Sequence, residues 1–294
     1  MTSFSIVDIP LDAREDTEQL GSKPKFWVLL DDRRWLFKEA RPNTGEDWAE
    51  KAAAEIAREL GIHAATVELA AYSGRQGCIS LNFIDVDAGE ALIHGNEIMA
   101  WAVTGYDKHK IFRQSDHTIE NIQAAIRRLF DPNKADSILT ELAGYMVLDA
   151  LIGNTDRHHE NWGLRLHVEA QSRLLSAAPS FDHASSLGRE LLDERRAELL
   201  ANHRVSWYVG KGRGGIFRDP DQRHGENPLR LVQVAARAYP WFFKPALERV
   251  AGLDPDAIGR ILAALPAERA SALAKQFAHV MILSARSSLI EMLK

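Results

Sequence analysis

The chain has 294 residues, 46% of them hydrophobic and 26% charged, with a net charge of −5. This length allows a large buried core, and the negative charge argues against direct nucleic-acid binding as the main task. We expect no membrane association, because no uncharged apolar run reaches about 18 residues. A cytoplasmic location is predicted, since the N-terminal segment lacks the apolar core of a signal peptide and Cys78 alone cannot form an intramolecular disulfide. Cys78 lies in an apolar run and is expected to be a buried, inert thiol.

The first part of the chain predicts strands and one helix. Residues 26–41, "FWVLLDDRRWLFKEAR", predict a β-hairpin that turns at residues 31–34, because apolar residues flank a polar tetrapeptide. Residues 46–60 predict a helix, since apolar side chains recur at helical spacing and a glycine follows. Two or three further strands are predicted within residues 67–86.

The chain after residue 121 reads mostly as helix. The predicted helical segments are residues 121–130, 135–153 and 227–243, with two or three more helices from about residue 254. We therefore predict an α+β, bilobal fold, with a small β-rich lobe in residues 1–100 and a larger helical lobe in residues 101–294.

The sequence "GNTDRHHENWG" places many polar groups directly after a long apolar run. Within it, Asp156 and Asn161 stand five residues apart, the offset of the aspartate and asparagine in the catalytic loop of protein kinases. The aspartate there orients or accepts the proton of the acceptor hydroxyl, and the asparagine binds Mg²⁺. This spacing alone also occurs by chance.

A second oxygen ligand for Mg²⁺ is expected downstream of Asn161. Asp182 in "PSFDHASSLG" follows a short strand-like run and occupies the position of the second magnesium aspartate of kinases. The alternative is an aspartate that only caps a turn.

A lysine that binds nucleotide phosphates should lie on an interior strand and pair with a glutamate of the next helix. Lys38 in "WLFKEAR" fits, because apolar neighbours direct its side chain toward a buried cleft. Glu50 is the expected partner, with Glu46 and Glu55 as rivals on the same helix. Alternatively, Lys38 protects a strand edge against aggregation.

Four motifs together resemble one family: "GSKPKFWV…WLFKEA", "NFIDVDAGEALIHGNE", "LIGNTDRHHENWGL" and "FDHASSLG". They are similar to the HipA-like bacterial Ser/Thr kinases, whose fold is distantly related to phosphoinositide kinases. The chain lacks a G-x-G-x-x-G motif before Lys38, so it does not resemble an ordinary eukaryotic-type kinase. The resemblance implies one bilobal kinase domain that uses ATP and Mg²⁺.

The resemblance also implies roles for individual residues. Asp156 would be catalytic, Asn161 and Asp182 would bind Mg²⁺, and Lys38 with Glu50 would hold the nucleotide phosphates. The remaining implied positions are Ser22 in the phosphate loop of residues 20–25, a candidate for autophosphorylation; the hinge residues Phe83, Ile84, Asp85 and Val86; His94 and Glu97 near the hinge; and His158, the histidine of the family's D-R-H motif.

The resemblance implies a protein substrate with a Ser or Thr acceptor, and members of the family phosphorylate aminoacyl-tRNA synthetases. It also allows the role of a toxin that pairs with an antitoxin protein. Two alternatives stay open from the sequence: a small-molecule or lipid kinase of the same fold, and a non-catalytic nucleotide-binding module. The glycine-rich, basic residues 208–219 could hold the acceptor or a phosphate, or form a solvated loop.

Overall fold

A computed structural model describes residues 3–17, 25–111, 113–169 and 172–294. The smaller lobe contains one sheet and one long helix. Its elements in chain order are β1 (Ile6–Asp8), a 3-10 turn (Leu11–Ala13), β2 (Arg14–Thr17), β3 (Lys25–Leu30), β4 (Arg33–Glu39), α1 (Glu46–Glu59), β5 (Val67–Tyr72) and β6 (Arg75–Leu81). Within the described residues the strand order of this sheet is β1-β5-β6-β4-β3-β2, and only the β1–β5 pair is parallel.

The predicted hairpin is confirmed, but its turn is shorter than expected. Asp31 and Asp32 alone form the turn, with φ of 49° and 56°, and Arg33 already begins β4. A two-residue hairpin turn with both φ values positive matches the twist of the flanking strands. The resulting register places Lys38 opposite Lys25 on β3 and Cys78 on β6. These three side chains therefore share one face of the sheet.

Helix α1 packs on the sheet, as its apolar spacing predicts. Trp48, Ala52 and Ile56 are buried, and the helix ends before Gly61, which has a φ of 63°. Burial of Cys78 under this helix confirms the expectation for the thiol, and burial raises its pKa well above the ordinary value. Cys78 therefore stays protonated.

The larger lobe combines a small sheet with helices. Its elements are β7 (Glu90–His94), α2 (Gly95–Ala102), α3 (Ile119–Leu129), α4 (Pro132–Ile152), β8 (Gly163–Glu169), β9 (Ser172–Ala177), α5 (Asp193–Ala201), α6 (Val205–Lys211), α7 (Pro228–Ala238), α8 (Pro240–Gly252), α9 (Pro255–Ala263) and α10 (Ala272–Glu291). Strands β7, β8 and β9 pair antiparallel in that order. The main core lies around α4, which contacts α3, α7, α8 and α10.

Helices α5 and α6 lie outside the predicted helical segments, and the structure differs from the predicted elements at two further places. The segment of residues 227–243 divides at Tyr239, because Pro240 cannot continue a helix but suits the first turn of the next one. Residues 85–97 lack strong periodicity, yet β7 and α2 begin within them, and β7 pairs with the distant β8. In the part of the chain that the structure describes, no helix has the length and apolarity to cross a membrane.

We predict that Gly188→Ala lowers the free energy of unfolding more than Gly74→Ala does. Both glycines have positive φ, 69° and 75°, so each alanine costs about 1 kcal/mol in the left-handed region. A Cβ at Gly188 would also lie 2.6 Å from the ring of the fully buried Phe277, whereas Gly74 has open space around it. Overpacking should add about 1–3 kcal/mol, measurable by urea unfolding. Equal losses in the two variants would contradict this packing.

Candidate active site

Three charged residues meet between the lobes. Lys38 on β4 places its Nζ 3.1 Å from Asp182 Oδ1 and 3.6 Å from Glu50 Oε1 on α1. Asp182 lies 144 residues further along the chain than Lys38 and adopts a left-handed φ of 61°. The structure thus brings together the predicted lysine, its glutamate partner and the predicted second magnesium aspartate.

Glu50 is the most deeply buried residue of this cluster. Its side chain is buried, and neither carboxylate oxygen accepts a hydrogen bond in the described structure. Burial alone would lower the pKa of Lys38, but the charges of Asp182 and Glu50 raise it above the ordinary value. Lys38 therefore stays protonated, and its ammonium group compensates a carboxylate whose burial would otherwise be costly.

The rival glutamates of α1 have other partners. Glu46 accepts hydrogen bonds from Arg189 Nη1 at 2.8 Å and from the Arg41 side chain at 3.2 Å. Glu55 accepts one from Lys51 Nζ at 2.8 Å. Among the three glutamates, Glu50 is the one that reaches Lys38.

Helix α1 is fixed by its own acidic residues. Besides Glu46 and Glu50, Asp47 forms an ion pair with Arg269 at 2.5 Å, and both side chains are buried. Arg269 also donates to the Ala70 carbonyl of β5. Lys38 on β4 pairs with Glu50, Arg189 after Asp182 pairs with Glu46, and Arg269 before α10 pairs with Asp47. Helix α1, and with it Glu50, is therefore bound to both lobes.

The loop of residues 154–161 wraps around Asp156, which is half-buried. The Asp156 backbone N–H donates to Asn154 Oδ1 at 3.1 Å, and its carbonyl accepts from Asn161 Nδ2 at 2.6 Å and from the His158 N–H at 2.8 Å. Because Asn161 uses its amide nitrogen in this way, its Oδ1 is the atom left to bind a cation.

A buried ion pair explains why polar residues end α4. Arg157 donates to both carboxylate oxygens of Asp149, at 2.7 and 2.8 Å, and Asn154 Nδ2 donates to Asp149 Oδ1 at 2.8 Å. Arg157 and Asp149 are 4% and 3% exposed. This two-pronged pairing is the geometry that suits a buried charge pair. The loop is therefore attached to the helix from which it emerges.

The same arginine connects the loop to the segment that carries Asp182. Arg157 also donates to the Phe181 carbonyl at 3.2 Å and to Ser180 Oγ at 3.0 Å, and Ser180 is hydrogen-bonded to His183. Sequence analysis missed Asp149, Arg157 and Ser180. The single charge within the apolar run before Gly153 was the only available signal.

Within the described ranges, hydrogen bonds engage part of the backbone of the predicted hinge and leave out Phe83. Asn82 binds both the N–H and the carbonyl of Ile84, and the Asp85 N–H donates to Glu90. The backbone groups of Phe83 make no hydrogen bond within the described ranges. The Phe83 ring lies 5.8 Å from that of Phe181. An edge with free backbone groups beside aromatic rings suits a planar base.

His94 and Glu97 lie beside the hinge rather than within it. The ring of His94 lies 6.2 Å from that of Phe181, and its Nδ1 donates to the Glu160 carbonyl. Glu97 accepts a hydrogen bond from the His94 N–H and so caps α2.

Two further side chains lie on the β3–β4 face, and the sequence analysis gave neither an individual role. Lys25 stands opposite Lys38, and Trp27 stands opposite Leu36, so both face the side on which Lys38 meets Glu50. Lys25 is the last residue of the predicted phosphate loop, and Trp27 follows two residues later. Ser22 in that loop lies outside the described residues.

Three histidines near the loop of Asp156 are buried and neutral. Burial lowers the pKa of His117 to about 3, of His159 to about 4 and of His183 to about 3. His117 accepts a hydrogen bond from Trp162 Nε1 and donates to the Gly215 carbonyl, which fits a neutral ring. His158, half-buried, accepts from the Glu160 N–H. No group of three or more His, Cys, Asp or Glu within the described parts of the chain is placed to hold a metal.

Comparisons with known proteins place the chain in a family. The sequence profile of the HipA-like C-terminal domain matches residues 19–223. The solved Helicobacter pylori proinflammatory kinase CtkA superposes with a TM-score of 0.81 at 19% identity, covering 98% of this chain and 97% of that one. HipA of Shewanella oneidensis, solved with HipB and operator DNA, gives 0.56 at 11% identity, covering 96% of this chain and 66% of HipA. No curated protein matches the chain in sequence.

The architecture is that of the kinase-like folds, with a small β-rich lobe and a larger helical lobe, so the predicted fold class is confirmed. The chain belongs to the HipA-like family, because the family profile matches more than half of its length.

We predict that Arg157→Met strongly destabilises the protein and that adding Asp149→Asn restores part of the loss. The single change leaves a buried carboxylate without its cation, at a cost of about 3–5 kcal/mol. The double variant removes that charge and keeps an amide oxygen for Asn154. Urea unfolding or, for insoluble protein, the soluble yield gives the order. A double variant at least as unstable as Arg157→Met would contradict the ion-pair account.

Proposed function

We propose that the protein is an ATP- and Mg²⁺-dependent serine/threonine protein kinase. The observation that carries this proposal is the meeting of Lys38, Glu50 and Asp182 in one cluster, with the loop of Asp156 and Asn161 attached to it through Arg157. A purely structural lysine would not need a carboxylate from each lobe. The arrangement matches the parts required to hold a nucleotide triphosphate and transfer its terminal phosphoryl group.

Each residue has a chemical task in this proposal. Lys38, kept protonated and oriented by Glu50, binds phosphate oxygens. Asp156 accepts or orients the proton of the acceptor hydroxyl while that oxygen bonds to the γ-phosphorus and ADP leaves. The hard oxygens of Asn161 and Asp182 are suited to Mg²⁺, which neutralises charge on the phosphates. Rate acceleration then comes mainly from positioning and electrostatic stabilisation.

The adenine base would lie against the hinge. The Phe83 backbone groups, which make no hydrogen bond to the described residues, are the proposed partners, with the rings of Phe83 and Phe181 alongside. His94 connects this region to the loop of Asp156 through its bond to the Glu160 carbonyl. Movement of the base would therefore be transmitted to the acceptor side of the site.

The proposal extends to one kinase domain that phosphorylates itself and a protein substrate, for which an aminoacyl-tRNA synthetase is a candidate by family resemblance. The division of this domain into lobes of residues 1–100 and 101–294 remains a prediction. Ser22 is the proposed autophosphorylation site, where an added phosphate would repel nucleotide phosphates. A toxin role with an antitoxin partner is supported only by the likeness to HipA, which was solved with HipB.

We predict that Asp156→Asn reduces phosphoryl transfer about a hundredfold or more, because the amide cannot accept the hydroxyl proton. Intact-mass spectrometry before and after incubation with ATP and Mg²⁺ measures autophosphorylation, and fragment mapping locates the site. ATP binding, measured calorimetrically, should persist in the variant.

The matched control is Asp12→Asn, which removes the same charge from an exposed position in the smaller lobe. This control should incorporate phosphate as the parent does. Undiminished incorporation by Asp156→Asn would refute the assignment of Asp156.

A further inference from the structure

The glycine-rich, basic segment of residues 208–219 lies beside the loop of Asp156. A Cβ on Gly212 would lie 3.2 Å from Thr155 Cγ2, and one on Gly215 would lie 2.7 Å from the His158 backbone nitrogen. These contacts flank Asp156 on both sides in the sequence. The segment therefore packs against the loop on either side of Asp156, the proposed catalytic residue.

Hydrogen bonds hold this segment in place. The Gly214 N–H donates to the Glu226 carbonyl at 2.8 Å, and the Phe217 N–H donates to the His117 carbonyl at 2.9 Å. Asn227 Nδ2 donates to the Gly212 carbonyl at 3.0 Å. The first residues of the segment belong to α6. The segment beside Asp156 is thus held in a defined position, and its glycines allow its backbone to approach the loop of Asp156 closely.

This segment and the part of α6 just before it carry cations and an exposed aromatic ring. Arg213 is exposed between Gly212 and Gly214. On α6, the Trp207 side chain is 42% exposed. The Arg204 guanidinium lies 4.1 Å and the Lys211 Nζ 4.7 Å from the centroid of the Trp207 ring. We call these four residues, Arg204, Trp207, Lys211 and Arg213, the basic acceptor surface.

The cations of this surface are free of ion pairs among the described residues. Neither Arg204, Lys211 nor Arg213 forms an ion pair with an acidic side chain in the described parts of the chain. This contrasts with the net charge of −5 for the whole chain. Unpaired cations around a planar ring suit carboxylates on a short peptide, whereas a nucleic acid would require a longer track of phosphate contacts.

We propose that the basic acceptor surface binds acidic residues that flank the acceptor serine or threonine of the protein substrate. This inference rests on the proposed kinase activity and specifies its substrate class. The acidic side chains would pair with Arg213 and Lys211 while the acceptor hydroxyl lies at Asp156. Each exposed pair contributes modestly, so we expect a difference of about three- to tenfold in KM at low salt that shrinks as salt rises.

The kinetic test compares short peptides that contain one serine flanked by glutamates, glutamines or lysines. We expect the lowest KM for the glutamate peptide, with a smaller effect on kcat. In the Lys211→Gln/Arg213→Gln variant, the KM for the glutamate peptide should rise to that for the glutamine peptide. Equal KM values for the three peptides with the parent protein, or an acidic preference that persists in the variant, would overturn the proposal.

A binding test keeps the inference separate from the activity. Fluorescence anisotropy of labelled glutamate and glutamine peptides is measured on the Asp156→Ala protein, which needs no turnover. Tighter binding of the glutamate peptide, lost with Lys211→Gln/Arg213→Gln, supports the surface; equal binding of both peptides refutes it. Absence of phosphorylation with selective binding retained would instead refute the proposed kinase function alone.

The matched control is Arg237→Gln, which removes the same type of exposed charge near the end of α7. Helix α7 begins beside the glycine-rich segment, where Asn227 contacts Gly212. Arg237 lies nine residues beyond Pro228, about 14 Å along the helix at 1.5 Å per residue. The control should keep the acidic preference. Loss of the preference in the control as well would show that overall charge, and not this surface, sets it, and would overturn the proposal.

Discussion

The buried carboxylate of Glu50 is the constraint on which the site depends. A charged group without hydrogen bonds in the interior is unstable unless a cation stays close, and Lys38 supplies that cation at 3.6 Å. The requirement fixes Lys38 on β4 relative to α1. It also brings Asp182 into contact, because the ammonium group serves both carboxylates. One ion cluster therefore joins three distant parts of the chain.

A second buried pair, Arg157 with Asp149, has the corresponding role in the larger lobe. It attaches the loop of Asp156 to the end of α4 and reaches the Phe181 carbonyl just before Asp182. Asp182 lies between these two ion clusters: its side chain binds Lys38, and the carbonyl of the preceding Phe181 accepts a hydrogen bond from Arg157. Its left-handed conformation is tolerable for aspartate and is kept by these contacts. The lobes cannot shift relative to each other without disturbing the contact between Lys38 and Asp182, in which the Lys38 side chain is only 10% exposed.

The sequence predicted the elements that have strong local patterns. Helix α1 and most of α4 follow from apolar spacing and a terminal glycine, and the β3–β4 hairpin follows from its polar turn. Strand β7 and the sheet it forms with β8 could not be predicted, because their pairing spans about seventy residues and their apolar runs are short. The division at Tyr239 follows from Pro240, which cannot continue the preceding helix.

For the site, residue spacing indicated Lys38, Glu50, Asp156, Asn161 and Asp182, and the structure brings Lys38, Glu50 and Asp182 together. Spacing could not choose between Glu50 and its rivals, since that choice depends on which side of α1 faces β4. It also could not reveal Arg157 as a connecting residue, because its partners are Asp149, Ser180 Oγ and two backbone carbonyls, which share no regular spacing in the sequence. Such groups leave no pattern in a sequence.

The most direct test of the central claim is calorimetric binding of ATP with Mg²⁺, and of adenosine, to the parent protein and to Lys38→Met, with the exposed Lys108→Met as control. The cluster account predicts that Lys38→Met weakens ATP binding at least about tenfold, since two carboxylates then face the phosphates without a cation, while adenosine binding is unchanged. Equal ATP affinity in the parent and in Lys38→Met would contradict the account.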